Sequence, residues 1–342
     1  MLYKTEEDFS KTVKANGING LYLLCGAEDY LIDAWKKQLS KDFEGADAFN
    51  MQRFDGRAPD VDAIYDAVEA FPFMADKKCV LVEDLDVSKL SGTDMAKFEE
   101  MLSDIPPDCV LIMTGRAAFD SKGANAKKIK KIAETNGIVA EFGARGQAGL
   151  SSFLKSRAKS NGCELSSENA NKIISLCGTN MNTLSCEIEK ICAFAKYGQI
   201  LPEHIEAVAT QITEAKVFDL NKAILAGNVA GAMDILSDLF YLREEPIAVL
   251  SVLIMAYVDL YRARAAKDIG LSVNDVTALF NYKGREFRIR NAFNSRLSTG
   301  ELRTCLDNLY ECDRKLKSTG VNGRVLLEQT VIKLFMAKET AQ

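Results

Sequence analysis

Apolar residues recur along this chain in two patterns, and the change between them falls near residue 143. Before that point, short continuous apolar runs alternate with stretches in which apolar residues recur every three or four positions. The runs occupy residues 21–25, 49–54, 79–82, 109–113 and 138–142. Strands that are apolar throughout and alternate with helices indicate a parallel sheet that is covered on both faces. The sequence therefore predicts an α/β domain with a five-stranded parallel sheet.

After residue 147 only the helical pattern continues. Helical stretches separated by glycine-containing stops predict a small helical subdomain over residues 143–212 and a helical bundle over residues 213–342. Residues 247–258 are almost wholly apolar, and we interpret them as part of a helix buried among others. Charged residues follow at Asp259 and Arg262, which is too early for a membrane span.

Residues 20–39 read GLYLLCGAEDYLIDAWKKQL and predict a strand, a tight turn and a helix. Mononucleotide-binding proteins hold their phosphates at such a turn, in a loop of the form G-x-x-x-x-G-K-[ST]. This turn lacks the lysine and the hydroxyl, and it places Glu28 and Asp29 at the start of the helix. Because carboxylates at that position repel a phosphate, we interpret the turn as an acidic helix cap and expect no bound nucleotide.

Polar residues also follow two other predicted strands. Glu83 and Asp84 follow residues 79–82, where an ATPase would hold magnesium, and Thr114 follows residues 109–113, where a polar side chain would face the nucleotide. Since the first turn lacks the phosphate-binding residues, we interpret these positions as remnants of an ancestral geometry. We expect no catalytic residue, no metal and no cofactor.

Composition argues against several further classes of protein. The 342-residue chain has a formal net charge of −5 and no basic tail, which argues against autonomous nucleic-acid binding. Its nine cysteines include no C-x-x-C pair and His204 is its only histidine, which disfavours a zinc site, disulfides and a catalytic dyad. The opening residues, MLYKTEEDF, do not follow the pattern of a signal peptide, so we expect a soluble cytoplasmic protein.

The segment AFPFMA at residues 70–75 is a candidate interaction site. Pro72 cannot continue the preceding helix and biases Phe71 away from the helical conformation. Phe71, Phe73 and Met74 can then either cap the core where the helix meets the sheet or form an apolar knob for a partner protein. The pattern alone favours the core cap and leaves both interpretations open.

Four segments, taken together, resemble the delta subunit of the bacterial DNA polymerase III clamp loader. LYLLCGAEDYLIDAW is similar to that family's first strand, degenerate turn and helix, and AFPFMADKKCVLVEDL is similar to its helix, Pro-Phe elbow and strand. TLSCEIEKICAF and ECDRKLKSTG resemble two later family segments, with Cys186, Leu316 and Ser318 as departures. No one segment is diagnostic, so the resemblance depends on their order and spacing along the whole chain.

The resemblance implies three domains and a site. The domains are an AAA+-like domain with a degenerate phosphate loop over residues 1–142, a helical lid over 143–212, and a C-terminal helical collar over 213–342 that joins a five-subunit ring. The site is an elbow in which Phe73 and Met74 grip the sliding clamp while Phe71 and Pro72 shape the knob. The family often has Leu-Phe where this chain has Phe-Met, a departure that keeps the apolar character.

The implied function is to bind and open the sliding clamp for loading on primed DNA during replication, with no ATP hydrolysis by this chain. The implied partners are the sliding clamp (beta subunit), the clamp-loader ATPase (tau/gamma) and delta-prime subunits, and primed DNA within the assembled loader. Two alternatives stay open, a catalytically active AAA+ ATPase and a structural adaptor of an unrelated assembly.

Two basic clusters are candidates for DNA contact within an assembled loader. They comprise Lys127, Lys128, Lys130 and Lys131 around Ile129, and Arg285, Arg288 and Arg290 around Phe287 and Ile289. Both are interpreted first as solvated helix faces, with contact to phosphates as the alternative.

Overall fold

Two compact units make up the chain, Met1–Arg145 and Gly146–Gln342. The computed structural model describes residues 1–44, 48–116, 123–282, 286–318 and 320–339. The three-domain division predicted from the sequence, with boundaries after residues 142 and 212, stays a prediction, because compactness alone groups the helices of the second unit together.

The first unit is built on a six-stranded sheet in which every neighbouring pair of strands is parallel. The strands are β1 (Leu2–Tyr3), β2 (Gly20–Gly26), β3 (Met51–Asp55), β4 (Lys78–Glu83), β5 (Cys109–Gly115) and β6 (Ile138–Phe142). Their order across the sheet is β1-β6-β2-β5-β4-β3. The predicted α/β class and all five predicted strands are confirmed. The sixth strand, β1, is too short to produce a sequence pattern and pairs with β6 at the edge of the sheet.

Helices cover both faces of this sheet. They are α1 (Glu6–Asn16), α2 (Asp29–Ser40), α3 (Val61–Glu69), α4 (Gly92–Ser103) and α5 (Ala124–Asn136). On one face Leu23 shares a buried core cluster with Phe98 of α4. On the other, the ring of Phe9 in α1 lies 4.7 Å from that of Trp35 in α2 and 6.4 Å from that of Tyr22. Burial on both faces explains why the central strands are apolar throughout.

The described part of the second unit is helical apart from loops and one isolated bridge. Its helices are α6 (Gln147–Ser160), α7 (Ser167–Cys177), α8 (Met181–Phe194), α9 (Pro202–Val208), α10 (Thr213–Leu225), α11 (Val229–Tyr241), α12 (Pro246–Asp268), α13 (Val273–Leu279), α14 (Glu286–Ala292), α15 (Thr299–Ser318) and α16 (Gly323–Glu339). The predicted change from an α/β domain to helices is confirmed.

Helix α12 is long and apolar enough to cross a membrane by length and composition. Within the second unit, however, it is a core helix that packs against α10 and α15. Leu253 and Tyr257 are fully buried in its core cluster. Its predicted role as a helix buried among others is confirmed.

Gly26 ends β2 at a point where a side chain has no room. Its φ is +125°, and a β-carbon added there would lie 2.2 Å from the carbonyl oxygen of Phe142. The amide of Glu28 donates a hydrogen bond to the same oxygen at 3.1 Å. The turn between β2 and α2 therefore passes too close to β6 for any residue but glycine.

We expect Gly26→Ala to lower the free energy of unfolding by at least about 2 kcal/mol, because it adds both backbone strain and a clash with main-chain atoms. Urea unfolding followed by the fluorescence of Trp35, the one tryptophan, measures this loss. Gly143→Ala is the matched control, since a β-carbon there would meet no atom within 4 Å. Equal stabilities for the two variants would contradict the expectation.

Candidate functional site

The elbow, Phe71, Pro72, Phe73 and Met74, lies between α3 and β4 and presents its apolar side chains to solvent. Phe71 is 90% exposed, Phe73 64% and Met74 92%. Pro72 is half-buried. The core-capping interpretation is therefore wrong for the two aromatic rings and the methionine. The geometry fits the apolar knob.

The backbone of the elbow turns outward for local reasons. Helix α3 ends at Glu69, where the amide of Ala70 donates the last helical hydrogen bond to the carbonyl of Asp66. Pro72 cannot donate a further one. Met74 has a φ of +50°, a left-handed conformation that directs the chain back toward β4.

Asn50 fixes the middle of the elbow, and sequence analysis missed it. The side chain is 6% exposed and bonds the main chain of Phe73 twice. Its Oδ1 accepts from the amide of Phe73 at 2.6 Å, and its Nδ2 donates to the carbonyl of Phe73 at 2.9 Å. Both polar groups of one exposed residue are thus held by a buried amide, so the ring of Phe73 stands on a fixed backbone.

Lys78 fixes the helix side of the elbow. Although it is a lysine, it is 4% exposed. Its ammonium donates to the carbonyl of Ala67 at 2.8 Å and also to that of Ala70. These carbonyls lie at the carboxyl end of α3, where the helix dipole favours a positive charge. Burial lowers the pKa of Lys78. Lys77 is likewise turned inward and donates to the carbonyl of Ile18 at 3.3 Å.

Arg116 dominates the opposite end of the sheet, where the strands finish. Its guanidinium contacts Asp84 at 2.7 Å, Asp33 at 3.0 Å and Asp29 at 3.2 Å. The hydrogen bond to Asp84, together with the charges of Asp33, Asp84 and Asp29, raises the pKa of Arg116 against the opposing effect of burial. A cation of the protein itself therefore lies among the carboxylates that follow β2 and β4.

Lys36 and Thr114 complete this charged network. Lys36 pairs with Glu83 at 2.7 Å and with Asp33 at 3.1 Å. Burial lowers the pKa of Lys36, but the hydrogen bonds from these two carboxylates outweigh it and raise the pKa overall. The hydroxyl of Thr114 accepts from the amide of Asp84 at 2.8 Å, which supports the left-handed φ of +55° at Asp84. Thr114 is 1% exposed and holds this backbone.

Parallel strands place these two groups at opposite ends of one sheet. The elbow and Asn50 precede β4 and β3, whereas Asp84 and Arg116 follow β4 and β5. We call the first end the amino end of the sheet and the second the carboxyl end. Six residues of β4 separate them by roughly 20 Å. The amino end offers apolar side chains, and the carboxyl end offers paired charges.

The basic clusters differ from each other. In the first, Lys128 pairs with Glu99 at 2.5 Å and Lys130 with Glu141 at 2.9 Å, as on a solvated helix face. In the second, Arg285 lies outside the described residues. Arg288 is turned inward and contacts the buried Asp259 at 2.6 Å, with its side chain 13% exposed. The interpretation of Arg288 as a solvated residue is wrong, because a buried carboxylate holds it.

Other reactive residue types have structural surroundings. Eight of the nine cysteines are buried, the exception being Cys186, and burial raises the pKa of Cys79 to about 12. Nδ1 of His204 accepts from the amide of Leu201 at 3.3 Å. Within the described ranges, no group of three or more His, Cys, Asp or Glu side chains is arranged to hold a metal ion.

The fold and this arrangement of the sheet define an AAA+-like protein with a helical C-terminal region. Two family models match the chain, "DNA polymerase III, delta subunit" over residues 22–141 and "DNA polymerase III delta subunit, C-terminal domain" over residues 214–334. The chain belongs to the DNA polymerase III delta subunit family, as predicted from the sequence. Its role is accordingly that of a clamp-loader subunit in DNA replication.

Two relatives of the chain come from Bacillus subtilis. DNA polymerase III subunit delta of strain 168 is 22% identical over 345 residues, which is 97% of each chain. A solved structure of a DNA clamp loader delta protein superposes with a TM-score of 0.61 at 21% identity, over 96% of this chain and 99% of that one. The second likeness supports the fold along nearly the whole chain.

We expect Arg116→Met to lower the free energy of unfolding of the first unit by about 2 kcal/mol at low salt, because Asp29, Asp33 and Asp84 lose their shared counter-charge. The loss should shrink in about 1 M NaCl, where repulsion between partly exposed carboxylates is screened. Urea unfolding followed by Trp35 fluorescence at both salt concentrations measures it.

Arg57→Met is the matched control for this experiment. Its ion pair with Asp55 is equally short at 2.8 Å, but Arg57 is 73% exposed. We expect no measurable change for the control. A salt-independent loss for Arg116→Met, or none, would show that the network does not stabilise the unit.

Proposed function

We propose that this chain binds the sliding clamp through its elbow and opens it, acting in the cytoplasm as a subunit with no ATP hydrolysis of its own. The observation that carries the proposal is the elbow itself. Phe71, Phe73 and Met74 are exposed at a position whose backbone is held by Asn50 and Lys78. Apolar side chains kept in solvent on a fixed backbone are a feature of an interface.

The energetics suit an anchor. Full burial of a phenylalanine or methionine side chain contributes about 1.5–3 kcal/mol. Because the backbone of Phe73 is already held by hydrogen bonds to Asn50, binding need not order it, and less of this gain is lost as conformational entropy. Three such side chains on one turn can therefore supply most of the affinity for an apolar pocket.

Opening of the clamp requires a difference in affinity between two of its states. A ligand shifts a conformational equilibrium only to the extent that it binds one state better than the other. We propose that the elbow binds the distorted clamp better than the closed ring. Binding energy then favours an open interface, with no bond made or broken in this chain.

The remaining partners follow from membership of the loader. We propose that residues 213–342 form the collar that joins the ATPase (tau/gamma) and delta-prime subunits, and that residues 143–212 form the lid. Primed DNA is held by the assembled loader. ATP on neighbouring subunits controls whether the elbow is free to bind the clamp.

The carboxyl end of the sheet supports the absence of ATP hydrolysis by this chain. Asp29 and Asp33 of α2 pair with Arg116 where phosphates would approach the start of that helix. Glu28 lies beside them, and burial raises the pKa of its carboxyl. A triphosphate would have to displace an internal cation and face these carboxylates.

We expect Phe73→Ala combined with Met74→Ala to weaken clamp binding by roughly 1,000-fold, since each truncated anchor costs about 2 kcal/mol or more. The fold should survive, because both side chains are more than half exposed. Titration with the sliding clamp of the same organism, without nucleotide, measures the loss. Tyr241→Ala, which truncates an aromatic side chain that is 87% exposed in the second unit, serves as control. Clamp affinity near that of the unsubstituted chain in the double variant would refute the assignment of the elbow.

We expect the purified chain to turn over no ATP and to show no tight ATP binding with magnesium present. The reason is electrostatic, as the turn after β2 offers carboxylates and no lysine. Phosphate-release and equilibrium-dialysis measurements on the isolated chain check both points. Turnover that persists through purification would revive the alternative of an active ATPase.

A further inference from the structure

Phe49 is a second exposed aromatic residue beside the elbow. Its side chain is 82% exposed, and its ring centroid lies 6.1 Å from that of Phe73 with the ring planes tilted by 54°. In the described part of the first unit, the large apolar side chains exposed by more than a third are those of Met1, Leu2, Phe49, Phe71, Phe73 and Met74. Most of the exposed apolar surface of this unit is thus concentrated around one aromatic pair.

Strand pairing brings Phe49 to this place. Asn50 directly precedes β3, as the elbow precedes β4, and these strands pair in parallel with Met51 opposite Cys79. Parallel neighbours begin at the same end of the sheet. Two segments more than 20 residues apart in sequence therefore arrive side by side at the amino end.

Asn50 ties the two segments together. Phe49 is its chain neighbour, and its amide holds the main chain of Phe73 through two hydrogen bonds. The pair of rings is consequently mounted on one rigid connection, with one ring on each side of Asn50. An aromatic pair in this arrangement offers a larger apolar surface than the elbow alone.

We propose that the clamp-binding surface comprises both segments, with Phe49 as a further apolar contact and Asn50 as a positioning residue that holds Phe73. The inference rests on the proposed function of the elbow and extends its site. The sliding clamp is the occupant because the ring of Phe49 is continuous with that of Phe73, so a pocket that receives Phe73 covers Phe49 as well. We call Phe49, Phe71, Phe73 and Met74 the two-segment patch.

Clamp affinity of Phe49→Ala tests the contact. We expect binding about tenfold weaker or more, as for loss of an aromatic anchor, and an intermediate loss for Phe49→Leu, which keeps apolar area but removes the ring. Circular dichroism and urea unfolding should match those of the unsubstituted chain, since the side chain is mostly exposed. Tyr241→Ala is again the control and should leave clamp affinity unchanged.

A double-mutant cycle tests the role of Asn50 as a positioning residue. We expect Asn50→Ala to weaken clamp binding several-fold in the unsubstituted chain and to have little further effect when Phe73 is already alanine. General destabilisation would act in both backgrounds alike, and that result would overturn the role. Asn50→Ser, whose hydroxyl is too short to bond both groups of Phe73, provides a second cycle if Asn50→Ala does not fold.

The controls separate failure of this inference from failure of the proposed function. If Phe73→Ala with Met74→Ala retains clamp affinity, the proposed function fails and the inference fails with it. If that double variant loses binding while Phe49→Ala binds as the unsubstituted chain does, only the inference is overturned. Sedimentation of the same samples tests another occupant, because loss of self-association without loss of clamp binding in Phe49→Ala would assign the surface to a second copy of the chain.

Discussion

The parallel pairing of the strands is the constraint on which the rest of the first unit depends. Because every strand of the sheet runs in the same direction, all strand starts lie at one end and all strand finishes at the other. Apolar side chains before β3 and β4 are thereby gathered into one surface, and polar side chains after β2, β4 and β5 into another. One sheet thus holds a partner-binding surface and a former nucleotide position apart.

The two ends use different interactions for different purposes. At the carboxyl end, Arg116 and Lys36 neutralise carboxylates that would otherwise repel one another, so the charges stabilise the unit internally. At the amino end, hydrogen bonds from Asn50 and Lys78 go to main-chain atoms. The polar groups of the elbow are therefore satisfied inside the chain, which leaves its apolar side chains free for a partner.

Sequence patterns predicted what depends on local order and missed what depends on pairing between distant segments. Continuous apolar runs identified five strands, and Pro72 identified the place where the chain leaves α3. Arg116, Asn50 and Lys78 gave no signal, since each acts on residues brought near by the fold and a lysine or an amide ordinarily indicates a solvated surface. Arg288 was misread for the same reason, because its partner Asp259 lies on another helix.

Amide hydrogen exchange of this chain with and without the sliding clamp tests the central claim most directly. The claim is that the amino end of the sheet is the clamp-binding surface. It predicts slower exchange on clamp binding at residues 49–50 and 73–77, with no change at residues 27–33, 83–84 and 115–116 of the carboxyl end. Protection confined to the carboxyl end, or unchanged exchange around Asn50 and Phe73 in a saturated complex, would contradict it.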